Sequence, residues 1–106
     1  MPNQNIELEL TNGNKVNLTI NFALLLQIRE RYPEVYKRYN DLQTKGREAV
    51  KEIFDTLVII YVGYLCANLN NSPLMGETEF YTLIPYDLYL IKDLTEKLSG
   101  AGARKN

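Results

Sequence analysis

Residues 57–67 read Leu57-Val58-Ile59-Ile60-Tyr61-Val62-Gly63-Tyr64-Leu65-Cys66-Ala67, an unbroken run of apolar and small residues in the middle of the chain. A helix that spans a bilayer needs about 20 apolar residues, so this run predicts a buried helix rather than a membrane anchor. A helix that is apolar on every side must be covered on every side. Because a chain of 106 residues has few elements to provide that cover, part of it is expected to come from another chain.

Composition predicts one small domain in a reducing compartment. At this length a chain is expected to bury roughly two thirds of its unfolded surface, which is enough for a core without disulfides. Cys66 is the single cysteine and lies inside the apolar run, which predicts a small buried hydrophobe. The first five residues lack the charged and apolar regions of a signal peptide, so we expect the chain to stay in the cytoplasm.

Two half-buried strands are predicted near the N-terminus, because apolar residues alternate there with polar ones. The apolar positions are Ile6, Leu8, Leu10, Val16, Leu18 and Ile20. A two-residue loop at Asn12-Gly13 would put the two apolar rows on opposite faces. A three-residue loop, with Gly13 or Asn14 at positive φ, pairs Leu8 with Leu18 and brings both rows to one face. We therefore predict a β-hairpin over about residues 6–20 that packs on helices.

Four to five helices are predicted after the hairpin, at about residues 22–32, 34–44, 47–69, 77–84 and 86–98. Asn21 is a good N-cap for the first helix, and Pro33 ends it. Gly46 is the expected end of the second helix, and Pro85 is the expected start of the last. The buried face of that last helix is expected to carry Leu88, Ile91, Leu94 and Leu98.

The predicted fold class is therefore α+β and predominantly helical. A single globular domain is expected over residues 1–98. Residues 99–106 contain too little apolar surface to order themselves, so a flexible C-terminal tail is expected there.

The residues that usually carry enzymatic chemistry are scarce. The chain has no histidine, which removes the commonest general bases and nucleophilic triads. Glu48 and Glu52 have basic neighbours that favour solvated ion pairs, and Glu77 and Glu79 belong to the first turn of a helix. No spacing resembles a calcium loop. We expect a protein that is not an enzyme, with no catalytic, cofactor-binding or metal-binding residue and no cofactor.

Nucleic acid is not an expected partner either. Twelve basic and thirteen acidic residues nearly cancel. Residues 29–51 combine basic side chains with tyrosines. Acidic residues between them cancel most of the positive electrostatic potential that phosphate binding requires.

Several segments, taken in order, carry a resemblance to a known family. They are Leu-Thr-Asn-Gly-Asn-Lys-Val-Asn-Leu-Thr (10–19), Asn-Phe-Ala-Leu-Leu (21–25), Arg-Tyr-Pro-Glu-Val-Tyr (31–36), Tyr-Leu-Cys-Ala-Asn (64–68), Met-Gly-Glu-Thr-Glu-Phe (75–80) and Leu-Ile-Pro-Tyr-Asp (83–87). The chain resembles the tail assembly chaperones of long, flexible-tailed phages and prophages of Gram-positive bacteria. The resemblance covers the chain to about Leu98. One departure is Gly76, where a Ser or Thr helix N-cap is expected.

The resemblance implies a protein that binds the tape measure protein, keeps it soluble and helps recruit tail tube subunits. Its partners would be the tape measure protein, the tail tube protein and possible further copies of itself as a homo-oligomer. It would work in the host bacterial cytoplasm and be absent from the mature virion. In this family a frameshift near the end of the gene commonly adds a C-terminal extension.

Two other functions stay open. The first is a structural head-tail connector or minor tail protein, and the less favoured second is a small nucleic-acid-binding regulator. In the chaperone interpretation, the expected partner-binding residues come from the apolar run and are Leu57, Ile60, Tyr61, Tyr64 and Leu65. The hairpin and the other helices should cover much of the run, leaving one side of residues 59–65 uncovered.

Overall fold

A two-stranded hairpin precedes five α-helices in residues 6–71 and 73–99, the ranges that the computed structural model describes, with Arg47 described by its backbone alone. The elements are β1 (Ile6–Glu9), β2 (Lys15–Leu18), α1 (Phe22–Arg31), α2 (Pro33–Lys45), a 3₁₀ turn (Gly46–Ala49), α3 (Ile53–Ala67), α4 (Glu77–Leu83) and α5 (Leu88–Ser99). The predicted α+β, predominantly helical fold class is confirmed. In the tail that was expected over residues 99–106, Ser99 is helical, and the others lie outside the described residues.

The strands pair antiparallel, but the predicted register is wrong by two residues. Leu8 lies opposite Val16 instead of Leu18, and Ile6 lies opposite Leu18. A slip of two residues preserves the face on which each side chain lies. The two apolar rows therefore share one face, as the alternation predicted.

The hairpin loop is fixed by backbone hydrogen bonds. The Leu10 N–H donates to the Asn14 carbonyl oxygen at 2.7 Å, and the Thr11 N–H donates to the Leu83 carbonyl oxygen at 2.8 Å. Gly13 adopts a φ of 90°, which glycine reaches without steric cost. The Leu10–Asn14 hydrogen bond closes a three-residue loop over residues 11–13, which has the predicted length but lies one residue earlier in the chain.

The first two helices have nearly the predicted bounds. The Asn21 side chain accepts a hydrogen bond from the Leu24 N–H at 2.9 Å, which caps α1 as predicted. Gly46 follows α2 with a φ of 60° and a ψ of −131°, a backbone conformation that glycine reaches without a steric penalty. Both signals are local, so the sequence was sufficient to place them.

The predicted helix over residues 47–69 is wrong at its start, because α3 begins at Ile53. The Asp55 carboxylate accepts hydrogen bonds from the Lys51 N–H at 2.7 Å and the Glu52 N–H at 3.1 Å. These bonds satisfy backbone donors in an extended segment and so cap the helix at residue 52.

The last helix begins two residues later than predicted. The Asp87 side chain accepts a hydrogen bond from the Leu90 N–H at 3.1 Å. Asp87 therefore acts as the N-cap of α5, and Pro85 precedes the helix instead of starting it.

Helix α3 lies at the centre of the molecule, where β2 and the four other helices all pack against it. Gly63 permits this close packing. A methyl group at residue 63 would lie 3.1 Å from Leu98 Cδ1 and 3.4 Å from the Leu18 Cβ, distances that leave little room for an alanine. The Thr19 N–H also donates to the Gly63 carbonyl oxygen at 3.1 Å, so the glycine brings the end of the hairpin against the helix.

The cover of the apolar run comes from this chain. Residues 57–66 are all buried, so the expectation that one side of residues 59–65 stays uncovered is wrong. The hairpin and four helices supply more cover than their individual apolar stripes indicated. Within residues 6–71 and 73–99, no helix is both long enough and apolar enough to cross a membrane.

Candidate partner-binding surfaces

The five residues that were expected to bind a partner lie in the core. Leu57, Ile60, Tyr61, Tyr64 and Leu65 are each no more than 6% exposed. The structure brings them together along α3, where they contact the rest of the chain. That they contact a partner stays a prediction, and the exposed apolar surface of the folded chain lies elsewhere.

An aromatic cluster joins α3 to α4. The Phe80 ring stacks on the Tyr64 ring with centroids 4.7 Å apart, and the Tyr61 ring lies 5.6 Å from Phe80. The Tyr61 hydroxyl donates to the Met75 carbonyl oxygen at 2.9 Å, and the Tyr64 hydroxyl accepts from the Met75 N–H at 3.0 Å. Burial raises the pKa of Tyr61 to about 12. Both hydroxyls therefore hold the segment before α4 in place.

A second contact fastens α4 to α2. Two guanidinium nitrogens of Arg38 lie 2.8 Å and 2.6 Å from the Glu77 carboxylate oxygens, and the Tyr81 hydroxyl donates to that carboxylate at 2.7 Å. The Arg38 hydrogen bonds hold the pKa of Glu77 below its ordinary value. Burial, assisted by the hydrogen bond to Glu77, raises the pKa of Tyr81. This bidentate geometry is the stronger form of an arginine–carboxylate pair.

The Glu77 pair predicts a small loss of stability in acid. Because the pKa of Glu77 is lower in the folded state, its contribution is present above its ordinary pKa of about 4.3 and disappears as pH falls through the folded-state pKa. Arg38 is 48% exposed and Glu77 is 26% exposed, so solvent screening limits the effect to about 1 kcal/mol or less. Urea unfolding across this pH range should show a shallower pH dependence for Glu77→Gln, whereas Glu79→Gln should behave like the wild type.

Eight large apolar side chains are exposed in the described residues, and they form three patches. The patches are Phe22 and Leu26 on α1; Val50, Ile53 and Phe54 at the start of α3; and Tyr86, Leu88 and Tyr89 between α4 and α5. We call the second group the α3 N-terminal patch and residues 86–89 the α4–α5 turn. Leu88 is 52% exposed, so its predicted place on the buried face of α5 is wrong.

Sequence reasoning did not identify these patches. The sequence contained one signal for the third patch, because Tyr86 and Tyr89 fall outside the predicted buried stripe of α5. No such signal marked Phe22 or Phe54, because both lie at helical spacing from buried neighbours. Hydrophobic periodicity identifies apolar stripes, but it does not show which stripes have a neighbouring element.

A groove of about 460 Å³ lies between α1 and α2. Its apolar lining consists of Phe22, Leu25, Leu26, Tyr36 and Tyr39, and its polar lining consists of Arg29, Asn40 and Gln43. We call it the α1–α2 groove. The groove is mainly apolar and open to solvent, and hydrophobic grooves can bind the apolar face of an amphipathic helix.

The described residues offer little for metal or thiol chemistry. No group of three or more histidine, cysteine, aspartate or glutamate side chains in residues 6–71 and 73–99 could hold a metal ion. Cys66 is 3% exposed, and burial raises the pKa of its thiol to about 12. Because the thiolate is the reactive form, the folded chain keeps this cysteine inert.

Comparison of the chain with protein-family models, with curated proteins and with solved structures found no match.

Proposed function

We propose that the chain is a phage tail assembly chaperone. In this role it acts in the host bacterial cytoplasm, binds the hydrophobic helices of the tape measure protein and keeps that protein soluble while tail tube subunits are recruited. The sequence resemblance supports the identity of the partner. The observation that carries the proposal is the α3 N-terminal patch, in which Val50, Ile53 and Phe54 are 42–51% exposed.

The surroundings of this patch suit an amphipathic helix. A groove of about 310 Å³ beside it is lined by side chains of both signs, among them Arg38, Asp41, Lys45, Glu48, Lys51 and Asp55. An apolar centre with a polar rim is the usual anatomy of a protein interface. Amphipathic helices bind such surfaces through their apolar stripe, while a mixed-charge rim accommodates polar faces of either sign.

Co-expression with the tape measure protein tests the proposal. We expect the tape measure protein to stay in the soluble fraction with the wild-type chain and to precipitate without it. The variant Phe54→Ser should lose most of this effect, because it removes the largest apolar side chain of the patch. The matched control Phe54→Leu keeps an apolar side chain at the same position and should retain it. A tape measure protein that is equally soluble with and without the chain would contradict the proposed function.

A permanent structural component of the virion is the second candidate, because exposed apolar patches also suit a fixed interface. Mass spectrometry of purified virions separates the two functions. We expect the chain to be nearly absent from virions. A head-tail connector or minor tail protein would instead be present in fixed stoichiometry.

A further inference from the structure

We infer that α4 is a displaceable lid, and that an amphipathic helix of the tape measure protein replaces it on the face of α3 that carries Tyr61 and Tyr64. This inference rests on the proposed function and deepens it, because it names the surface that the partner uncovers. Its grounds are the weak attachment of α4, the aromatic surface beneath α4 and the position of α4 beside the α3 N-terminal patch.

Helix α4 has the smallest buried anchor of the five α-helices. All seven of its residues are described, and Phe80 is the one that is buried, whereas α5 buries four residues. A helix this short is not stable in water without packing. Its N-cap residue is Gly76, which has no side chain to cap it. An element held by few buried contacts can open while the rest of the fold stays intact.

The polar contacts at the start of α4 lie near solvent. Arg38 and Glu77, which form the ion pair to α2, are 48% and 26% exposed. The Tyr61 and Tyr64 hydroxyls bond the backbone of Met75, just before the helix. When α4 leaves, water reaches all of these groups and replaces their partners. Opening therefore buries no polar group without a hydrogen bond.

Removal of α4 uncovers an aromatic surface on α3. The Phe80 ring stacks on Tyr64 with centroids 4.7 Å apart and lies 5.6 Å from the Tyr61 ring. Phe54 precedes Tyr61 by seven residues, or two helical turns, so the two side chains share one face of α3. The Phe54 ring lies 5.9 Å from that of Tyr81 on α4. The α3 N-terminal patch and the covered surface therefore form one apolar stripe, of which α4 covers the second part.

The exposed part of this stripe is too small for a stable complex. Val50, Ile53 and Phe54 are 42–51% exposed, and each partner in a stable interface buries roughly 800 Å². Tyr61 and Tyr64 enlarge the surface, since a buried aromatic side chain contributes roughly 150 to 250 Å². A helix that docks on the α3 N-terminal patch therefore gains contact area when it displaces α4.

The contacts of α4 define the chemistry of the helix that replaces it. Glu77 and Phe80 are three residues apart, so the carboxylate and the ring lie on one face of α4. The carboxylate accepts hydrogen bonds from Arg38, and the ring packs on the two tyrosines. We expect the tape measure segment to carry an acidic residue three or four positions before a large apolar residue, so that it repeats both contacts.

Hydrogen exchange tests the inference on the chain alone and on its soluble complex with the co-expressed tape measure protein. In the free chain, the amides of α4 should exchange through a local opening that leaves α3 and α5 protected. In the complex, the α4 amides should exchange roughly tenfold faster or more, because the partner stabilises the open state. The amides of α3 should become better protected in the same complex.

The outcomes separate the inference from the proposed function. A complex in which α4 stays as protected as in the free chain would overturn the inference and leave the proposed function intact. A chain that forms no complex with the tape measure protein would contradict both.

The variant Glu77→Gln provides a second test. It weakens the attachment of α4 and leaves Arg38 available to the partner. A surface that is open for a small fraction of the time binds with an affinity reduced by that fraction. Loss of a partly exposed ion pair should therefore raise the affinity for a soluble tape measure fragment by roughly two- to fivefold.

The matched control is Glu79→Gln, since Glu79 is on the same helix and exposed. Its affinity for the fragment should equal that of the wild type. An affinity of Glu77→Gln equal to or below that of the wild type would overturn the inference, because α4 would then not compete with the partner.

Discussion

Replacing Phe80 by alanine is expected to lower the free energy of unfolding by about 3 to 5 kcal/mol, the range for removing a buried phenylalanine ring. Phe80 is 0% exposed. Its ring stacks on Tyr64 with centroids 4.7 Å apart and lies against Tyr61, so the deletion leaves a cavity that rigid aromatic neighbours cannot fill. A domain of this size has a total stability of about 5 to 15 kcal/mol, so the variant should lose a large fraction of it.

Thermal and urea unfolding measure this effect, and the chain contains a matched control. Phe54 is also aromatic and also contacts α4, with its ring 5.9 Å from that of Tyr81, but it is 51% exposed. Phe54→Ala should therefore cost about 1 kcal/mol or less. The melting temperature of Phe80→Ala should fall by roughly 15 °C or more. Equal losses in the two variants would show that α4 is not part of the core.

Replacing Tyr64 by alanine is expected to cost about 3 to 5 kcal/mol, because the side chain is 5% exposed and its ring fills the space between α3 and α4. The variant Tyr64→Phe separates the ring from the hydroxyl. It keeps the stack but leaves the Met75 N–H without its acceptor, which should cost about 1 to 2 kcal/mol.

A urea titration beside a pull-down with the tape measure protein decides what Tyr64 does. A core residue loses stability before any partner is added. If Tyr64 were an interface residue, Tyr64→Ala would leave the stability of the monomer unchanged and weaken binding. That outcome would show that Tyr64 contacts the partner. Because Tyr64 and Phe80 are in contact, their double variant should lose less stability than the sum of the single variants.

The elements that the sequence placed well are those with local causes. Asn21 caps α1 with its own side chain, Pro33 separates α1 from α2, and Gly46 supplies the positive-φ residue after α2. The alternation of apolar residues placed both strands and the face that they share. Each of these signals acts within a few residues, so an isolated segment contains the information.

The elements that the sequence misplaced depend on competing or distant groups. The start of α3 was set by the Asp55 carboxylate, which accepts hydrogen bonds from backbone N–H groups of an extended segment that also had helical periodicity. The hairpin loop lies one residue earlier than predicted, next to α4, to which Thr11 donates a hydrogen bond. Leu88 continues the buried stripe of α5 in sequence, but it lies at the exposed first turn of the helix.

The candidate surfaces were the least predictable part of the protein. The sequence assigned partner binding to the most apolar segment, and the fold used that segment as its core. The exposed patches consist of less conspicuous residues, such as Phe22 and Phe54, that the other elements leave 88% and 51% exposed. Their exposure depends on where neighbouring helices end.

By itself the sequence determined which segments form helices and strands, that residues 57–67 would be buried, and that the described chain would be mostly helical, because these properties follow from local geometry and from the cost of exposing apolar surface to water. Only the tertiary structure decided what covers the apolar run. Burial is a property of packing between distant segments, and Gly63 allows the hairpin and α5 to approach α3 so closely that the chain covers its own central helix. For the same reason, the exposed apolar surfaces lie near the starts of α1, α3 and α5. They lie outside the apolar run of residues 57–67, which is the most conspicuous feature of the sequence.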